Sequence, residues 1–425
     1  MLEYRNGELH IGGVSCEELA QEFDTPLYVI DEERIRQNYR RLKQALQARY
    51  PKTRIYYAVK ANSNLSILRI LHIEGAYFDV ASPGEAFIVS KAGVDAERIM
   101  FTGTSVRDDE LEYLLDLGVY INVDSLSELR RLLRIGAPSF ISARINVGVG
   151  AGHHQHCITA GPKSKFGLAE GEAVEAYRMA KNAGVERFGI HTHIGSGIME
   201  PTPFIQAMQR LLAVASNVKQ SLNIDFEHVD IGGGIGVPYR PKEPEFDLET
   251  YADGVITKLK GWIEENGSEP PIFAVEPGRY IVCDACILLT RINTVKNTPY
   301  RRILGVDAGF HTLARPMLYG SYHHIIPVRE RNAENSGTGP IYDVAGPICE
   351  SGDLLARGRA LPEMREGDLL AILNAGAYGF SMSSQYNSRP RPAEVLVKEG
   401  RYELVRERET LEDLLRHQRI ASWLR

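Results

Sequence analysis

Cysteine is scarce in this chain. Five residues in 425, namely Cys16, Cys157, Cys283, Cys286 and Cys349, form an odd and sparse set that does not read as a disulfide framework, so reduced thiols are expected. Long apolar runs are missing as well. No stretch approaches the roughly 18 residues of a membrane span, and the opening "MLEYRNGELHIGG" lacks the basic, apolar and small-residue order of a secretory signal. A cytoplasmic protein that avoids membranes is expected. There is no block of one charge sign: 49 basic against 55 acidic side chains give a net −6, which argues against nucleic acid as the partner and for small molecules. What is present, 44% hydrophobic and 24% charged residues, is ordinary globular composition. The length exceeds what one core usually supports, so a large and a smaller domain are expected.

From about residue 54 to 279 eight short β-type runs alternate with helical patterns: "RIYYAVK", "YFDVAS", "IMFTG", "YINVD", "FISARINV", "RFGIHTHIG", "HVDIGGG" and "IFAVEPGR". The intervening segments, such as "DDELEYLLDLG" and "SLSELRRLLRIG", carry leucines at three- and four-residue spacing and leave through glycine. Strands apolar at nearly every position suit a parallel sheet covered on both faces, and eight β/α units close a TIM-type (β/α)8 barrel, with a doubly wound open sheet as the competing fold. The barrel is set at residues 28–285. After residue 285 the texture becomes turn-separated strands, read with residues 1–27 as a second, mostly antiparallel β-domain over 286–425. "LYVI" leads into the barrel on this reading, and "ETLEDLLRHQ" is a short C-terminal helix.

Chemistry in a barrel gathers at strand C-termini, where this chain carries Lys60, Asp79, His193, Gly232 to Gly234, Glu276 and Arg279. A lysine ending "RIYYAV" can lose its proton by desolvation and act as a nucleophile, or simply pair with a buried carboxylate. The triple glycine of "HVDIGGGIG" lets backbone N–H groups approach an anion, or makes only a tight turn; it fails the dinucleotide pattern, because the sixth position is Val237. In "VEPGRYIV" Glu276 could hold a pyridinium nitrogen and Arg279 a substrate carboxylate, although an ion pair between the two would also satisfy the motif. "HTHIGSG" sends His191 and His193 to one strand face. No third and fourth ligand follow at useful spacing, so a ring stacked on a cofactor fits better than a metal, and none is expected. "GHHQHC", residues 152–157, reads as a loop near the site, and "CDAC", inside a β-type run, as redox-inactive.

In order along the chain, "YYAVKAN", "HTHIGSG", "DIGGGIG", "EPGRYIV", "GPICESGD" and "NAGAYGFSMSSQYN" resemble the diaminopimelate decarboxylases, pyridoxal-phosphate enzymes of the alanine racemase-like fold (fold type III). The likeness runs from about residue 25 to 398. It implies pyridoxal 5'-phosphate as cofactor and a homodimer with a shared active site, completed by the β-domain. Lys60 resembles the residue that carries the cofactor and His193 the ring that stacks on it. Ser196, Gly233, Gly234 and Tyr378 resemble phosphate-side contacts, Glu276 the partner of the ring nitrogen within the cofactor-binding turn Glu276-Pro277-Gly278-Arg279, and Asp79 and Arg144 supporting residues. Arg279, Arg315, Tyr319 and Tyr378 are similar to the group that grips a substrate carboxylate. Glu350 would meet an ammonium, and Cys349 would donate a proton from the other subunit. The implied reaction converts meso-2,6-diaminopimelate at its D-centre to L-lysine and carbon dioxide, the last step of lysine biosynthesis. The alternatives are decarboxylation of a related diamino acid (D-ornithine, D-lysine or carboxynorspermidine) and a non-catalytic regulatory homologue. Phe310, His311, Thr312 and Gly352 depart from the commoner family residues, and none of them has a role here.

Overall fold

The computed structural model of the chain describes residues 2–152, 154, 159–161, 164–330 and 339–424. It divides into two compact units, one formed by Ile35–Pro238 with Lys242–Val282, the other by Met1–Arg34, Tyr239–Pro241 and Cys283–Arg425.

All eight expected runs are strands of the first unit: Thr53–Ala58, Tyr77–Val80, Ile99–Phe101, Tyr120–Val123, Phe140–Asn146, Arg187–His191, His228–Asp230 and Ile272–Val275. Each pairs in parallel with the next. The last pairs back onto the first, Val275 opposite Ile55, and this closes the barrel rather than leaving an open sheet. The helices between strands start where a side chain can satisfy their first N–H groups. Asn64, Ser82 and Ser125 each cap the following helix, and Pro83 occupies a first-turn position where no donor is needed.

Tyr56, Tyr77, Met100, Tyr120, Phe140 and Ala274 pack together from six different strands, which only the barrel interior allows. Arg54 and Arg98 lie 4.6 and 4.8 Å from the Tyr77 ring centre, and Arg187 covers Tyr120 while binding Glu227. The ring of His228 sits 5.0 Å from that of Phe140. This layer of stacked guanidinium and aromatic groups, at the N-terminal ends of the strands, is the barrel floor.

The second unit holds a mixed sheet. Its order is Leu354–Ala360, Ile341–Ala345, Arg302–Val306, Cys286–Asn297, Leu27–Asp31, Ala393–Lys398 and Arg401–Arg406, with Leu369–Ile372 and Ile325–Pro327 branching from the long strand. Most pairings are antiparallel. Two are parallel, including Leu27–Asp31 with Ala393–Lys398. "LYVI" is therefore a central strand of this sheet and not the lead into the barrel, since both of its edges pair here. Residues 2–15 form a separate three-stranded sheet whose Leu9, Ile11 and Val14 join the core under Leu27, Val29 and Val395. "ETLEDLLRHQ" yields only the 3-10 turn Asp413–Leu415, because Leu411 and Leu415 stay exposed and no apolar face holds a longer helix. Among the described residues no helix is long and apolar enough to cross a membrane.

Candidate active site

The first barrel strand stops at Ala58, two residues short of Lys60, which sits in the one-turn 3-10 helix Val59–Ala61. Side chains fix this turn. Asn62 accepts the N–H of Asn64, and the Tyr57 hydroxyl donates to the Asn62 carbonyl. The Ala58 N–H donates to the Pro277 carbonyl, and a β-carbon on Gly278 would come within 3.0 Å of that of Ala61. The alanines of "AVKA" and the glycine of "EPG" thus let two strand-end turns touch. Lys60 Nζ lies 2.7 Å from Asp79 Oδ2, and Asp79 Oδ1 is buried with no donor among the described residues. Burial pushes the Asp79 carboxyl up and nearby Glu276 adds to that, with the Lys60 ammonium opposing.

The glycine run forms a backbone cradle. Gly232 and Gly234 have φ of +70° and +118°, which L side chains rarely adopt, and a β-carbon on Gly234 would lie 2.5 Å from the Gly195 carbonyl oxygen. At Gly233, which has ordinary φ, a β-carbon would meet the Glu276 carbonyl carbon at 2.9 Å. The Gly233 N–H donates to His193 Nδ1 at 3.1 Å. That bond makes Nδ1 an acceptor, so the ring is neutral with its proton on Nε2. Burial, then Arg144 and Lys60, hold the His193 imidazole well below its usual range, in agreement with the neutral form.

His193 is not on the strand. The strand ends at His191, so the two histidines do not share a strand face: the chain has already turned, and His191 points at Glu276, with Nε2 3.3 Å from Oε1. Arg279 Nη2 donates to Ser196 Oγ at 3.1 Å, and the Thr102 hydroxyl reaches Glu276 Oε1 at 3.4 Å. Burial alone would raise the Glu276 carboxyl, but His191 and Lys60 outweigh it and bring it down to about 2. Arg144 is buried, 4.0 Å from Asp124 and 4.4 Å from the Phe166 ring centre, and its Nη2 has no acceptor among the described residues.

Two strand-end groups, Asp124 and Asp230, escaped the sequence reading, and His191 was named there without its position against Glu276. No third ligand follows the histidines at useful spacing along the chain, yet the fold brings donor atoms of His191, Asp230 and Glu276 within 4.8 Å of one another. Asp124 and Asp230 did carry a signal, since each is an acid closing an apolar strand. The "GHHQHC" loop lies largely outside the described residues. Cys283 lies between the turn Arg279–Val282 and the strand opened by Cys286, so "CDAC" straddles a strand boundary.

The remaining candidates belong to the second unit. Arg315 is fully buried, and its guanidinium is aligned by Tyr239 Oη at 2.8 Å, His323 Nε2 at 3.0 Å and Ser321 Oγ at 3.3 Å. All three partners are neutral groups. Tyr319 ends the short helix Arg315–Tyr319. Cys349 and Glu350 are exposed, and Glu350 accepts the Tyr386 hydroxyl at 2.6 Å. The buried Asp353 ties their loop to another by accepting the Phe310 and Ile348 N–H groups at 2.7 and 2.8 Å. Tyr378 holds a left-handed backbone, φ 56°.

Residues 32–283 match the family model described as "Pyridoxal-dependent decarboxylase, pyridoxal binding domain". The diaminopimelate decarboxylase of Methanothermobacter thermautotrophicus is 55% identical over 98% of this chain and 97% of its own. The chain belongs to the diaminopimelate decarboxylase family. Among solved members, that of Methanocaldococcus jannaschii in complex with L-lysine superposes with a TM-score of 0.92 at 34% identity, over 100% of this chain and 99% of that one. The Helicobacter pylori enzyme with L-lysine gives 0.85 at 37% identity, over 94% and 98%. Pyridoxal phosphate is the cofactor of this pyridoxal-dependent decarboxylase. The barrel residues fit such a molecule: an amine for its aldehyde, a glycine cradle that any β-carbon would fill, and a buried carboxylate held ionised.

Proposed function

We propose that the protein decarboxylates meso-2,6-diaminopimelate at its D-centre, releasing L-lysine and carbon dioxide, in the cytoplasm and as the last step of lysine biosynthesis. The observation that carries this reading is the Lys60 amine, 2.7 Å from buried Asp79, in the same unit as the glycine cradle and the ionised Glu276. The bound cofactor supplies an electron sink for the pair of electrons left on carbon when carbon dioxide departs. Lys60 is assigned as its covalent anchor. Asp79 accepts the charge of that amine, and neutral His193 offers a flat face fixed by Gly233. Ser196, Gly233, Gly234 and Tyr378 are assigned to the phosphate, Glu276 to the ring nitrogen, Pro277 and Gly278 to the turn that aims it, and Arg144 to support of Lys60.

Arg279, Arg315, Tyr319 and Tyr378 are assigned to the distal carboxylate of the substrate and Glu350 to its ammonium. A buried guanidinium aligned by neutral partners, as in Arg315, is complementary to a carboxylate it can fork onto. Holding the distal end decides which carboxylate leaves, because only one orientation aligns the breaking bond. The vacated carbon takes a proton from the Cys349 thiol, which water restores. A homodimer with shared sites completes the proposal, supported by exposed Cys349 and Glu350 and by apolar Met317 and Leu318 exposed in the same unit.

The test supplies purified protein with pyridoxal phosphate and a panel of diamino acids, and identifies the amino product. L-lysine from the meso diaminopimelate is expected. Faster release of carbon dioxide from D-ornithine, D-lysine or carboxynorspermidine would overturn the substrate, and no turnover at all would overturn the enzyme. Mixed Lys60→Ala and Cys349→Ala chains should regain activity that neither shows alone; failure to do so would remove the shared site.

A further inference from the structure

Three carboxyl groups, Asp79, Asp230 and Glu276, are buried at one end of the barrel. Facing them are Lys60, Arg144, His191 and His193. The positive charges are already distributed. Lys60 holds Asp79 at 2.7 Å, Arg144 lies against Asp124, and His193 is neutral because its Nδ1 accepts the Gly233 N–H. Glu276 is left with His191, whose Nε2 lies 3.3 Å from Oε1. Both His191 ring nitrogens are buried and lack hydrogen-bond partners among the described residues. Asp230 gives Oδ1 to the Gly232 N–H at 2.7 Å, while its Oδ2 is buried without a partner. Burial and the neighbouring Glu276 push the Asp230 carboxyl well above its usual range, which favours its neutral form.

We propose that His191 is a positioning residue for Glu276: its Nε2, set 3.3 Å from the carboxylate, keeps Glu276 anionic and aimed at the cofactor's ring nitrogen. The inference rests on the assignment of Glu276 to that nitrogen. A proton between Glu276 and the ring has two homes, and an imidazole nitrogen turned to the carboxylate at 3.3 Å favours the ring.

The test uses full-length protein loaded with cofactor labelled with 15N at the ring nitrogen, and follows the 15N resonance with pH. Wild type should hold the protonated form. In His191→Phe and His191→Gln the ring nitrogen should lose its proton at a pH lower by roughly 1 to 3, with kcat reduced and KM kept. Asp230→Asn should leave the 15N titration as in wild type, because Asp230 is bonded to the Gly232 N–H rather than to Glu276. An unchanged titration in both His191 variants overturns the proposal, as does an Asp230→Asn shift equal to theirs, or a stoichiometric metal found in wild type by elemental analysis. A wild-type chain that takes up no labelled cofactor would overturn the underlying cofactor reading instead, so the two failures are distinct.

Discussion

Gly233→Ala tests the glycine cradle most directly. The added methyl would meet the Glu276 carbonyl carbon at 2.9 Å and its oxygen closer still, where carbon contacts ordinarily begin at about 3.5 Å. The atoms it meets are backbone of Glu276 and Pro277, which no side-chain rotation can clear, so the ends of the seventh and eighth strands must part by about 1 Å. Overpacking of that kind costs about 1–3 kcal/mol, and parting the strands weakens the 2.9 Å bond from the Glu276 N–H to the Gly232 carbonyl. The Gly233 N–H would also lose its aim at His193. A lower Tm for the cofactor-free protein is expected, with cofactor affinity reduced about tenfold to hundredfold, since a shift near 1 Å can cost that much. Gly261→Ala is the control. Nothing lies within 4 Å of its β-carbon in the helix Leu248–Asn266, so it should gain about 0.5–1 kcal/mol. Calorimetry and a fluorescence titration with pyridoxal phosphate read both. A Gly233→Ala protein with wild-type Tm and affinity would refute the reasoning.

Burial and nearby Asp124 push the Glu128 carboxyl up to about 8, so between its unfolded value near 4.5 and about 8 the unfolded chain ionises it while the folded chain keeps the proton. Stability falls as pH rises through that window; Glu128→Gln should raise Tm at pH 8 and bring no gain near pH 4, as scanning calorimetry would report. Arg279→Lys keeps the charge but not the fork, so KM for the substrate should rise about 10- to 100-fold with kcat little changed; steady-state kinetics check it, and an unmoved KM removes Arg279 from the substrate group. Asp353→Asn turns one of two acceptors into a donor facing the Phe310 or Ile348 N–H. A loss of about 1–3 kcal/mol on denaturant unfolding is expected.

The barrel was legible because its strands are buried on both faces and therefore read as unbroken apolar runs, a signal that needs no knowledge of pairing. The second sheet was legible only as strands. Which edges meet depends on residues hundreds of positions apart, as with Leu27 opposite Ala393, and nothing local marks "LYVI" as belonging there. The candidate site divides in the same way. Lys60, Glu276 and the glycines announce themselves as unusual residues closing apolar strands. His191 and Asp230 meet Glu276 only in the fold, at three strand ends that the chain visits separately. His193 shows the limit of two-residue periodicity: it assumes that a strand continues, and this one had ended.

The stacked floor around Phe140 and Tyr120 has a consequence for where chemistry can sit. Arg54, Arg98 and Arg187 are laid over aromatic rings at that end, so the barrel's base is filled by side chains and the reactive groups are confined to the opposite strand ends.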